Sequence, residues 1–211
     1  MIGHRIRRAL VVVSTPVPDS YTAARAQVVI DGLETAEIEV RVRDLYAEGF
    51  DPHLSATERR DHLEAGTAAE IADHATDLLW CDTLVLVYPT WWSAQPAMLK
   101  GWFDRVWVCG VAWDLPAGAN RLRPRLSNVR RIVVVTTHGS SKIVNSLQGE
   151  AGKRTVTRSL RLMCNWRCRT SWWATYSMDR LDDDDRRREL HHLQRRIARL
   201  AGPSAARRSL R

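Results

Sequence analysis

An α/β fold with a five-stranded, mostly parallel sheet and helices on both faces is predicted by three features of the sequence. Short β-branched runs alternate with stretches of helical spacing along the whole chain, as when strands are joined by crossover helices. Most of the strand runs are continuously apolar rather than alternating, as expected where both sheet faces are covered. Right-handed crossovers between successive strands then favour the order 2-1-3-4-5.

Residues 9–13 (ALVVV) form the first strand, closed by Ser14-Thr15-Pro16. Helical spacing follows over 20–33, with Ala24, Val28 and Leu33 among its apolar positions and Asp19 or Ser20 as its cap. Residues 38–42 alternate apolar and polar, the pattern of an edge strand or one with a wet face. A Gly- and Pro-bearing connection, 46–53, leads to helical stretches at 56–64 and 68–79. Residues 83–88 are the third strand, stopped by Pro89, and Pro96 suits the first turn of a helix running to Val108. After an irregular stretch, 132–136 is the fourth strand, 155–163 is helical and 170–176 is the fifth strand. The closing helix, 182–200, begins with the acidic run Asp182 to Asp185, which complements the positive end of the helix dipole and does not call for a metal. These elements assemble into a flavodoxin-like three-layer sandwich.

A chain of 211 residues without a linker or repeat is expected to form one domain over 1–201, followed by a basic tail at 202–211. The net charge of +8 invites a nucleic-acid reading, but the excess is concentrated at the two ends and no nucleic-acid-binding motif accompanies it. Apolar runs fall far short of the ~20 residues that cross a bilayer, and the basic start lacks a cleavage pattern. The expectation is a cytoplasmic protein with neither nucleic-acid binding nor membrane insertion. Cys81, Cys109, Cys164 and Cys168 lack C-x-x-C spacing, and the adjacent His191 and His192 point to different helix faces, so no metal site is expected.

Ligands of such sheets bind beyond the carboxyl ends of the strands, beside strands one and three. The loop after residue 13 has no glycine and so is not a dinucleotide turn. Its hydroxyls, with a helix N-terminus, suit a phosphate; a plain capped turn explains them equally well. In the loop after residue 88, Pro89-Thr90-Trp91-Trp92, the tryptophans either wall a flat ligand or pack only on neighbouring helices. The third loop, Thr136-Thr137-His138-Gly139, has a backbone that allows close approach to a planar ring.

At these residues the chain resembles the NAD(P)H:quinone oxidoreductase (DT-diaphorase-like) family of flavodoxin-fold flavoproteins. The matching stretches, in family order, are Asp19-Ser20-Tyr21, residues 44–52 (DLYAEGFDP), Pro89-Thr90-Trp91-Trp92, residues 96–106 (PAMLKGWFDRV), Thr136-Thr137-His138-Gly139 and Ser146-Leu147-Gln148-Gly149. The resemblance implies tightly bound FMN or FAD, with Thr15, Ser20, Tyr21 and Thr22 at the phosphate. It also implies that Pro89, Thr90, Trp91 and Trp92 run along the isoalloxazine and that Thr136, Thr137, His138 and Gly139 close its pyrimidine side. The implied reaction is ping-pong: hydride passes from NAD(P)H to the flavin, and two electrons then pass to a quinone or similar electrophile. A homodimer is implied, with Trp113 and Asn145 beside the acceptor.

Three positions depart from the family pattern. Thr15 stands where a histidine is common, and Asn145 and Ala151 stand where vertebrate members place a Tyr and a His that assist proton movement. His138 is the nearby titratable group, either a substitute proton donor or only a cap for its loop. These losses leave open a second function, that of a regulatory or accessory subunit which binds a partner and turns over little.

Overall fold

The computed structural model describes residues 5–202; the expected basic tail, apart from Gly202, lies outside them. Five strands form the main sheet: β1 (Arg8–Val13), β2 (Glu39–Asp44), β3 (Thr83–Pro89), and then, after a small ribbon of β4 (Trp113–Asp114) and β5 (Arg123–Pro124), β6 (Arg131–Thr137) and β7 (Arg169–Thr175). All main-sheet pairings are parallel. Their order is β2-β1-β3-β6-β7, which is the expected 2-1-3-4-5 once the ribbon is set aside.

Alternation along the central strands divides the interior into two cores. Leu10, Val12, Leu84, Leu86, Ile132 and Val134 face one side. There they meet Leu78 of α3 (Ala72–Trp80) and Leu99 and Trp102 of α4 (Ala97–Val106), beyond the short α2 (Ala56–Arg60). Val11, Val13, Val85, Val87, Val133 and Val135 face the other side, against Val29 and Leu33 of α1 (Tyr21–Thr35). Leu193 and Ile197 of the C-terminal helix, Asp183–Ala201, complete that second core. Helices therefore cover both faces. The sequence of 9–13 reads as continuously apolar because adjacent residues serve different cores.

Local chemistry sets the helix ends. Ser20 caps α1 by accepting the Ala23 N–H, and Asp182 caps the C-terminal helix by accepting the Asp185 N–H at 2.7 Å. Ser55 and Glu58 form a capping box on α2. That helix ends at Arg60 rather than 64 because it buries no side chain to reward extension. The stretch expected as a helix over 68–79 opens as a single 3₁₀ turn, Ala69–Ile71, before α3.

Two short helices, α5 (Lys142–Leu147) and α6 (Ala151–Arg154), precede a π-type turn over Thr155–Ser159 and a 3₁₀ turn over Leu160–Met163. The regular helix expected over 155–163 is lost where Thr155 and Thr157 donate back to the carbonyls of Ala151 and Lys153. Such back-bonding bends a helix. The C-terminal helix, α7 (Asp183–Ala201), packs closely on α1: a β-carbon at Gly32 would lie 2.6 Å from Ile197 Cγ2. Among the described residues no helix is long and apolar enough to cross a membrane, and no group of His, Cys, Asp and Glu has the makings of a metal site.

Candidate functional site

The carboxyl ends of β1, β3, β6 and β7 open onto one groove of about 410 Å³. The loop after β1 contributes Thr15, Pro16, Val17, Ser20, Tyr21 and Thr22; that after β3, Pro89, Thr90 and Trp91; that after β6, Thr137 and Gly139; and that after β7, Met178 and Asp179. The volume falls within the ~300–1,000 Å³ typical of small-molecule sites.

The first loop is organised around the start of α1. Thr15 Oγ1 lies 3.1 Å from Ser20 Oγ, which in turn accepts the Ala23 N–H at 3.2 Å. The N–H groups of Tyr21 and Thr22, in the first helical turn, have no intrahelical partner and suit an anion. Ser14 Oγ, at the end of β1, is buried without a hydrogen-bond partner among the described residues. Two hydroxyl contacts tie the loops together: Thr22 Oγ1 to Thr137 Oγ1 at 3.4 Å and Thr90 Oγ1 to Thr136 Oγ1 at 2.8 Å.

Among the described residues no Lys or Arg lines the groove, and Asp179 is its one formally charged side chain. The buried Arg25 lies beside the groove: its guanidinium is 5.8 Å from the Tyr21 ring and donates to the Trp173 carbonyl at 3.0 Å and to the Thr175 hydroxyl. Burial raises the Tyr21 phenol above its ordinary range, with Arg25 opposing. An anion in this groove is therefore met chiefly by neutral donors.

After β3 the chain makes a tight turn in which Trp91 and Ala94 exchange backbone hydrogen bonds, with Trp92 (φ 50°) and Ser93 (φ 58°) both left-handed. Residues with β-carbons hold that conformation at a cost of roughly 1–2 kcal/mol each, and such strain gathers at functional sites. The turn is held from outside: Ser93 donates to Gln148 Oε1, and Gly152 N–H donates to Ser93 O at 2.8 Å. Trp91, 45% exposed, walls the groove, whereas Trp92 is fully exposed at the tip and does not line it.

The other expected residues are divided. Thr136 is buried beneath the groove and outside its lining. His138 is buried, stacks on Tyr176 at 4.7 Å and 19°, and has Nε2 3.4 Å from Thr90 Oγ1. Its Nδ1 has no hydrogen-bond partner among the described residues. Burial lowers its pKa, with Asn145 opposing, so the ring is neutral near pH 7. Asn145 donates to Ser140 Oγ and the Ser141 carbonyl, bracing that loop from below. Trp113 donates to the Trp107 carbonyl and lines a separate cleft of about 460 Å³ that shares no residue with the groove.

Met178 and Asp179 were not anticipated, although topology places the loop after the last strand at the same edge as the others. They are carried into the groove by Ser177, left-handed at φ 53°, and by the Ser177 N–H to Ser140 O and Met178 N–H to His138 O bonds.

This architecture defines a flavodoxin-like protein, and residues 7–200 match the family described as having a flavodoxin-like fold; the chain belongs to that family. An uncharacterized NAD(P)H oxidoreductase of Escherichia coli (strain K12) is 36% identical over 108 residues, 50% of this chain and 55% of that protein. NAD(P)H dehydrogenase (quinone) 1 of Cavia porcellus is 27% identical over 168 residues, 72% of this chain and 60% of that protein. The chain thus spans 55–60% of the length of these two curated relatives. An NAD(P)H:quinone oxidoreductase from Methanothermobacter marburgensis shares the fold, with a TM-score of 0.78 at 23% identity over 94% of this chain and 98% of that one.

Proposed function

We propose that this protein is a flavin-dependent NAD(P)H oxidoreductase with a quinone or similar small electrophile as acceptor. One observation carries the reading: a groove at the strand switch point combines the free first-turn N–H groups and hydroxyls of α1 with an aromatic wall, Trp91. The donor set fits a flavin mononucleotide. Thr15, Ser20, Tyr21 and Thr22 hold the phosphate, Pro89 to Trp91 orient the ring system, and Thr137 and Gly139 meet its edge. The relatives' names agree with this reading. A flavin held by these residues would supply the two-electron chemistry of NAD(P)H oxidation.

Around it the chain binds, orients and excludes water. Trp91 shields one side of the groove, and the neutral hydroxyls of the first loop accept an anion without a competing ion pair. His138, behind Thr90 and neutral, fixes the loop through Tyr176. We take 1–201 as one flavin domain. A homodimer is the arrangement in which Trp113, remote from the groove in its own chain, reaches an acceptor bound by the other copy.

The accessory reading is favoured by one observation: among the described residues, Asp179 and Tyr21 are the only titratable side chains lining the groove. Titration of the purified chain with FMN and with FAD, followed by flavin fluorescence, tests the proposal. Saturable binding of one equivalent, weakened in Trp91→Ala, is expected. Absence of binding to the folded chain contradicts it.

A further inference from the structure

At the opposite ends of the strands lies a second groove, of about 380 Å³, lined by Arg5, Arg7, Arg8 and Arg130 together with Asp82 and Asn128. Its frame is fixed. Asp82 Oδ2 accepts the backbone N–H groups of Arg7 at 3.0 Å and Arg8 at 3.3 Å, and Oδ1 accepts from Thr83 Oγ1 at 2.8 Å. The Asp82 N–H donates to Arg8 O, and the Arg130 N–H donates to Asp82 O at 2.8 Å. Asn128 Nδ2 anchors its own segment to the carbonyls of Leu78 and Cys81. The amino ends of β1, β3 and β6 are thereby clamped together, and the side chains stand on a preset backbone.

Four arginines share the lining of this groove, whereas several arginines elsewhere are matched by acids. Arg41 and Arg43 pair with Asp77, Arg105 with Glu58 and Glu70, and Arg186, Arg187 and Arg188 with acids one turn away. Among the described residues, none of Arg5, Arg7, Arg8 and Arg130 forms an ion pair; Arg8 lies 5.8 Å from the Trp80 ring centroid. Asp82, the one carboxylate among the described lining residues, accepts the backbone N–H groups of Arg7 and Arg8. Four arginines that line one groove, without an ion pair among the described residues, suit an anion with several phosphate oxygens, which a guanidinium can grip in bidentate fashion. The modest volume, about 380 Å³, suits a small ligand.

We propose that this groove is a second ligand site, for a small polyphosphate anion, either free inorganic polyphosphate or the di- or triphosphate end of a nucleotide. It lies at the opposite sheet edge from the flavin groove and does not depend on the flavin reading. The test is calorimetric titration of the full chain with inorganic tripolyphosphate, with orthophosphate and ADP as comparison ligands, in the parent and in Arg7→Gln/Arg130→Gln. The backbone N–H of residue 7 survives that change, so the Asp82 clamp is kept; an unaltered melting temperature verifies it.

Binding of one equivalent of tripolyphosphate is expected, with orthophosphate about tenfold or more weaker and a loss of about tenfold or more in the double variant. Raising salt from ~50 to ~300 mM should weaken it further. ADP binding tighter than tripolyphosphate assigns the nucleotide as the source, and tripolyphosphate binding as tight or tighter assigns the free anion. The proposal is overturned if tripolyphosphate does not saturate or if the double variant binds as the parent does. Several chains assembling on one oligonucleotide, with tripolyphosphate inert, would also overturn it.

Discussion

A β-carbon added at Gly139 would lie 2.6 Å from Oδ2 of Asp179, so the loops after β6 and β7 meet at a distance that the absence of a side chain permits. Both residues line the groove. The obstructing atom is the end of a side chain with room to rotate, so Gly139→Ala should fold with a stability loss under about 1 kcal/mol. It should displace the Asp179 carboxylate within the groove, and FMN affinity should fall about tenfold. Parallel thermal melts and FMN titrations check both halves of this expectation.

Gly101 is the contrasting case. Its added β-carbon would meet Pro52 O at 2.2 Å, Pro52 Cβ at 2.4 Å and Pro52 Cα at 2.6 Å, and backbone cannot step aside as a carboxylate can. Gly101→Ala should therefore cost about 1–3 kcal/mol or more. Chemical denaturation measures it, and a loss no larger than that of Gly139→Ala would refute the packing described for α4.

The two tryptophans should separate cleanly. Trp91 lines the groove, so Trp91→Ala should weaken FMN binding about tenfold with little change in folding. Trp92 is fully exposed and left-handed, so Trp92→Gly should change stability by less than about 1 kcal/mol, relief of strain offsetting the added freedom of the unfolded chain. Equal loss of FMN affinity from both substitutions would contradict the placement.

Stability should depend on pH through His74. Its Nδ1 accepts from Trp102 Nε1 at 3.2 Å and its Nε2 lies 3.3 Å from Glu48 Oε2, an arrangement made by the neutral ring. Burial, then Arg43, lowers its pKa from 6.5 to about 4. The unfolded chain therefore binds this proton more readily than the folded one. Stability from this residue is complete above the unfolded value and is lost as pH falls from about 6.5 towards about 4, by at most ~3.5 kcal/mol at about 1.4 kcal/mol per unit. Denaturation at stepped pH in the parent and in His74→Gln checks this: the substitution should flatten that part of the profile.

Sheet order and the three principal loops were legible because β-branched runs buried on both faces leave a strong pattern in the sequence, and parallel connectivity fixes which strand ends face the ligand. Ser20 as a cap and the acidic start at Asp182 were legible because capping is local chemistry. The ribbon of β4 and β5 was not, since two-residue strands carry no period and Pro124 argues against one. The break at 155–159 depends on hydroxyl back-bonds that composition does not reveal. In the site, residue type alone could not separate Trp91 from Trp92 or place His138 behind the wall rather than in it. That distinction lies in the left-handed turn at Trp92 and Ser93 and in the stacking on Tyr176.

The central claim is that the groove carries a flavin reduced by NAD(P)H. Its most direct test is the absorbance of the FMN-reconstituted protein near about 450 nm under anaerobic conditions, with NADPH or NADH added and then a simple benzoquinone. Bleaching by at least one nucleotide, with recovery on adding the quinone, is the expected result. A protein that binds FMN yet stays yellow with both nucleotides would contradict the enzymatic reading and leave the accessory one standing.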